Sequence, residues 1–128
     1  MDYKMTKSKG QIEADICKAI TKFEKEHLGR GPLEANTYIL DDMILIRLKG
    51  ILTPAEERLA KDSDGAQIIK QIRRRLIESS RPLLEEIIND ITGENIKSLH
   101  TDISSRTGER IFVLCLGENL QNKIEILK

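Results

Sequence analysis

Apolar residues near the start of the chain recur at helical spacing. Ile12, Ile16, Ala19, Ile20 and Phe23 fall three or four positions apart between Ser8 and Leu28, which predicts a helix with one buried face. Lys18, Lys22, Glu24 and Lys25 are assigned to its solvent side. Gly29 is its stop, because glycine accepts the left-handed conformation that ends helices. The period then shortens to two. Asn36 to Leu40 and Met43 to Leu48 flank Asp41-Asp42, a β-hairpin with a tight turn. Ile44, Ile46 and Leu48 line one face, while Met43 and Leu45 make the other partly apolar. Apolarity on both faces predicts that the second face meets another element or another copy of the chain.

Helical spacing returns after Leu52. Thr53-Pro54-Ala55-Glu56 reads as a capping box: threonine accepts from a free N–H, proline suits the first turn, and Glu56 reaches back to the cap. Asp64 with Gln67 repeats that logic and is read as the next cap. Apolar positions at Ile69, Ile72, Leu76, Leu83, Ile87 and Ile91 then carry a long helix to Gly93. Pro82 removes a backbone donor and crowds the preceding turn, so a kink or break is expected near Ser79 to Arg81. A second hairpin follows, with strands Ile96 to Ile103 and Arg110 to Leu116 around a polar loop.

The order α-β-β-α-α-β-β predicts an α+β fold, an antiparallel four-stranded sheet with helices packed on one face. Its two helix-then-hairpin halves repeat in order but not in residues. Residues 1–7 are expected to be flexible and 8–118 to form a single domain; the tail, 119–128, can add a short helix from Asn119 to Leu127.

Composition narrows the function classes. At 128 residues the chain is long enough for a core without staples. Its 21 basic and 21 acidic residues cancel, so no global field draws it to nucleic acid or anionic membranes. Tyr3, Tyr38, Phe23 and Phe112 are the aromatics, thin support for base stacking, and there is no strong nucleic-acid signal. Cys17 and Cys115 have apolar neighbours and are expected to be small buried core residues rather than a disulfide. No apolar signal core and no run near the roughly 18 residues of a transmembrane segment is present, which predicts a cytoplasmic protein.

Five places bear on chemistry. Gly29-Arg30-Gly31-Pro32 is either a helix stop with a rigid turn or an anion site, with backbone N–H groups and the Arg30 fork as donors. The helix start at Thr53 is explained by its capping box, yet a helix N-terminus also attracts anions. With Arg47 on the preceding strand, Arg30 and Thr53 could surround one pocket for a small anion or nucleotide. His100 and Asp102 share a face of one strand, and a histidine backed by that carboxylate could act as a base or, with His27, hold a metal; the alternative is a partly buried, hydrogen-bonded His100. In Arg73-Arg74-Arg75, consecutive side chains point about 100° apart, so they form no flat patch. Arg73 and Arg74 are read as solvated or paired with acids. Arg81, beside Pro82, can satisfy freed carbonyls or join an interface.

The order of these motifs resembles a family. Gly29-Arg30-Gly31-Pro32 after a first helix, Leu48-Lys49-Gly50-Ile51-Leu52-Thr53-Pro54-Ala55-Glu56 after a hairpin, Arg81-Pro82 in a long helix and a closing hairpin resemble the MpsC-like proteins. These small bacterial proteins were long described as a domain of unknown function. The resemblance covers residues 8–118 and implies association with a sodium-linked, membrane-potential-generating system. It supplies no catalytic residues and no cofactor. The implied role is a non-enzymatic accessory or regulatory protein, a homo-oligomer such as a dimer, acting with membrane transport-system subunits. The rival reading is the anion or nucleotide sensor at Arg30, Arg47 and Thr53.

Overall fold

A computed structural model describes residues 7–126. Most of the segment expected to be flexible, residues 1–6, lies outside the described residues. The elements run α1 (Lys9–His27), β1 (Glu34–Leu40), β2 (Met43–Lys49), α2 (Pro54–Leu59), α3 (Ser63–Thr92), β3 (Ile96–Ser104), β4 (Glu109–Leu116) and α4 (Leu120–Ile126). The strands form one antiparallel sheet in the order β1-β2-β4-β3, with helices on one face. The two hairpins therefore lie side by side, joined through β2 and β4.

Strand alternation sorts the sheet into two faces. Ile39, Ile44, Ile46, Leu48, Phe112, Leu114 and Leu116 are buried beneath the helices, with Ile12, Ile16, Ile20 and Phe23 of α1 packed against them. The edge of β1 is covered sideways by α1. Glu13 accepts from the Ile39 N–H at 2.8 Å and the Cys17 thiol donates to the Ala35 carbonyl at 3.5 Å, so these β1 groups are not left open to edge-to-edge pairing. Cys17 and Cys115 are free and half-buried rather than core residues, because Cys17 serves this edge and Cys115 alternates onto the open face.

Local chemistry sets the ends of the helices. Ser8 and Thr53 each form a capping box, with Gln11 and Glu56. The cap of α3 is Asp62, whose carboxylate accepts from the Gly65 N–H at 2.7 Å, and not Asp64. The reason lies in the corner between α2 and α3: a Cβ at Gly65 would stand 1.9 Å from the Leu59 carbonyl oxygen, so the glycine allows the first turn of α3 to begin against α2. Gly93, at φ 77°, ends α3 as expected.

Three expectations about the helices give way. The break near Ser79 to Arg81 is absent, and α3 runs through Pro82. Pro82 and Glu78 are both exposed, while Ile77 and Leu84 stay packed on either side of the proline. The buried stripe of α3 is Ile69, Arg73, Ile77, Leu84 and Ile88, one position round from the expected one, which leaves Ile72 52% exposed. Glu24 is buried rather than solvated. The tail adds α4, and its Leu120 and Ile124 join the core, so packing continues past residue 118.

Candidate functional site

Three ionisable side chains occupy apolar phases of their elements. Glu24 sits four residues after Ile20 on α1, Arg73 midway between Ile69 and Ile77 on α3, and Arg110 two before Phe112 on β4. Periodicity turns each of them inward, and Glu24 is 0%, Arg73 1% and Arg110 2% exposed. Burying an ion is costly unless partners replace its water. The three differ in how far that is met.

Arg73 is the best matched. Its Nη2 and Nε donate to the two oxygens of Glu56 at 2.6 and 3.0 Å, a bidentate fork, and Nη2 also donates to the Ile51 carbonyl at 3.1 Å. Glu56 at the same time accepts from the Thr53 N–H at 2.9 Å. Burial alone would push the Glu56 carboxyl up; its hydrogen bonds from Arg73 and Thr53 outweigh burial and hold it below the usual range. The capping box of α2 thus also anchors α3.

Arg110 is matched only in part. Its Nη1 donates to Thr101 Oγ1 at 2.9 Å, and its guanidinium stands 5.4 Å from the Phe112 ring centroid, a cation–π contact. Its Nε and Nη2, together with Arg73 Nη1 and both carboxyl oxygens of Glu24, find no hydrogen-bond partner among the described residues. Burial lifts the Glu24 carboxyl from 4.5 to about 7, against the lowering pull of Arg110 and then Arg73. Burial also lowers Arg110, opposed by the charge of Glu24. The result is a buried acid that exchanges its proton near neutrality beside a cation with spare donors.

Arg110 also lines a cleft of about 140 Å³ between α3 and β3, with Lys70, Arg74, Arg81, Thr101 and Asp102 around it. Two of the residues singled out in the sequence therefore share this cleft. Arg81 pairs with Glu85 at 2.9 Å, and Asp102, on the edge strand, reaches Lys70 at 3.6 Å.

The other sequence candidates are dispersed. Gly29, at φ 117°, ends α1 beside the Arg73 head group, and Gly31 rests against Thr21 and Lys25 of α1. Arg30 donates to the Leu52 carbonyl at 3.4 Å, next to Thr53. Arg47 is on the opposite face of the sheet, paired with Glu109 at 2.6 Å, so it does not join Arg30 and Thr53. A cavity of about 270 Å³ beside Leu52 is lined by Gly50, Glu57, Arg106 and Gly108, not by Arg30 or Arg47. His100 is exposed on the open face opposite Val113, because β3 alternates it away from the helices; it is not partly buried. His27 packs against Phe23 at the end of α1, with ring centroids 5.6 Å apart. No group of three or more His, Cys, Asp or Glu among the described residues is arranged to hold a metal.

Sequence reasoning missed Glu24 and Arg110 and placed Arg73 among solvated or paired arginines. The signal was present. Each continues the period of buried apolar neighbours, and phase should have outweighed residue type.

A family model described as "Na+-translocating membrane potential-generating system (MpsC)" matches residues 8–118. The chain is similar to the uncharacterized protein YbcI of Bacillus subtilis (strain 168), 52% identical over 121 residues, which cover 94% of this chain and 98% of that one. It is also similar to the uncharacterized protein YrhF of the same organism, 24% identical over 110 residues, covering 85% and 90%. No solved structure matches it significantly.

Proposed function

The chain belongs to the MpsC family, and on that premise we propose that it is a non-enzymatic accessory or regulatory subunit of a sodium-linked system that generates membrane potential, working as a homodimer. No helix of the described residues is long and apolar enough to cross a membrane. The reading therefore assigns the ion path to other subunits and gives this chain a role beside them.

The observation that carries the dimer is the open face of the sheet. Tyr38, Leu45 and Val113 stand opposite one another across β1, β2 and β4, and Leu40, Met43 and Cys115 form the next rung. Tyr38 is 47% and Leu40 44% exposed, and the helices lie on the other side. Ion pairs between Arg47 and Glu109 and between Lys49 and Glu34 flank this apolar band. Two such faces related by a two-fold axis would pack as stacked sheets and give each charged rim a self-complementary partner.

Native mass spectrometry and sedimentation velocity test the reading. The expected result is a dimer that Leu45→Lys converts to a folded monomer. A wild-type monomer at every soluble concentration would overturn it.

A further inference from the structure

The partly matched Arg110 and the cleft it lines carry an inference that is independent of the dimer. Four cations, Lys70, Arg74, Arg81 and Arg110, face this cleft against two carboxylates, Glu78 and Asp102. Two of the cations are already engaged, Lys70 with Asp102 and Arg81 with Glu85. Arg74 makes no ion pair with another described residue, and Arg110 keeps two N–H-bearing nitrogens without acceptors. The natural internal partner for Arg110 is Glu24, yet neither Glu24 oxygen bonds to it. Burial also holds the Glu24 carboxyl at about 7, so near neutral pH it carries only part of a negative charge. An acceptor-rich anion entering the cleft would meet the positive charge of Arg110, whose two spare nitrogens are themselves buried, a hydroxyl in Thr101 and the charge of Arg74.

We propose that the cleft between α3 and β3 is a binding site for a small oxyanion, held by Arg110 and Arg74 with Thr101 as a hydroxyl partner. Volume limits the ligand class. Organic-ligand pockets begin at about 300 Å³, and this cleft, at about 140 Å³, admits a sulfate- or phosphate-sized ion but not a nucleotide. Guanidinium groups favour such ions because their planar donors match two oxygens at once. The site lies away from Arg30, Arg47 and Thr53, so it also relocates the anion-binding capacity expected from sequence.

Sulfate is a suitable probe because its charge is constant across the neutral range. In a titration at fixed ionic strength, with chloride as the balancing salt, sulfate is expected to raise the melting temperature saturably. It should also shift the backbone amides of residues 101–103 and 70–78. Arg74→Glu, a change at an exposed position that leaves the core untouched, is expected to weaken binding at least about tenfold. Arg47→Ala should leave it unchanged. Arg110→Lys keeps a buried cation but removes the fork, and should weaken binding while preserving the fold. Absence of a saturable response, equal affinity in Arg74→Glu, or amide shifts confined to residues 29–31 and 53–56 would each overturn the proposal.

Discussion

Each face of the sheet carries an exception to the common pattern. The covered face, beneath α1 and α3, holds Arg110 among aliphatic side chains, with Glu24 and Arg73 descending from the helices. The open face presents Tyr38, Leu40, Met43, Leu45 and Val113 toward solvent. A covered face is usually the apolar one, and an open face the polar one. Buried charge without full pairing and exposed apolar surface both cost free energy. The first is relieved by a ligand or a proton, the second by another protein surface. The proposed anion site draws on the first cost and the proposed dimer on the second.

Substitutions can break that comparison, and the largest effects are expected on the covered face. Arg73→Met should destabilise the monomer by about 3 kcal/mol, because Glu56 and the Ile51 carbonyl lose their partner together. Urea denaturation measures it, and a cost below that of an ordinary surface change would show that the fork contributes little.

Glu24→Gln should act through pH. Below 4.5 the carboxyl is neutral in both folded and unfolded chains. As pH rises toward 7, the unfolded chain ionises while the folded one resists, so the wild type loses about 3 kcal/mol across that window. The glutamine variant lacks this slope and should be the more stable protein at pH 8. Glu56 runs the other way: its lowered carboxyl stabilises the fold above its ordinary value, and that contribution disappears as pH falls below it. Stability curves of Glu24→Gln and Glu56→Gln against pH should therefore diverge from the wild type at opposite ends.

Thr53→Ala removes the α2 cap and should cost about 1 kcal/mol, without altering sulfate binding in the cleft. A loss of binding in that variant would draw the helix start back into the site. The smallest effect on the fold belongs to the open face. Tyr38→Ser should change monomer stability by no more than about 0.5 kcal/mol, yet it should raise the dissociation constant of the dimer. If it instead unfolds the monomer, the open face is part of the core and the contrast between the faces fails.

Much of this architecture was legible in the chain. The hairpin around Asp41-Asp42, the capping box at Thr53, the stops at Gly29 and Gly93 and the four-stranded sheet all follow from spacing and from turn or cap chemistry acting within a few residues. The site was less legible. Arg81 and Asp102 were singled out and do line the cleft, but Arg110, its central residue, reads in sequence as an ordinary strand position. Glu24 reads as one more charge on a charged helix.

By itself the sequence determined the order of the elements, most of their ends, and the buried faces of α1 and of the strands, because those choices depend on neighbours within one or two turns. Only the tertiary structure decided which hairpin edges meet, that α3 passes Pro82 unbroken, and which charges are buried. Those outcomes depend on partners far along the chain: the Glu56 carboxylate for Arg73, the Thr101 hydroxyl for Arg110, and packing on both sides of an exposed proline. Spacing along one element marks such a position as inward-facing, but whether an ion is tolerated there is set by what surrounds it in space.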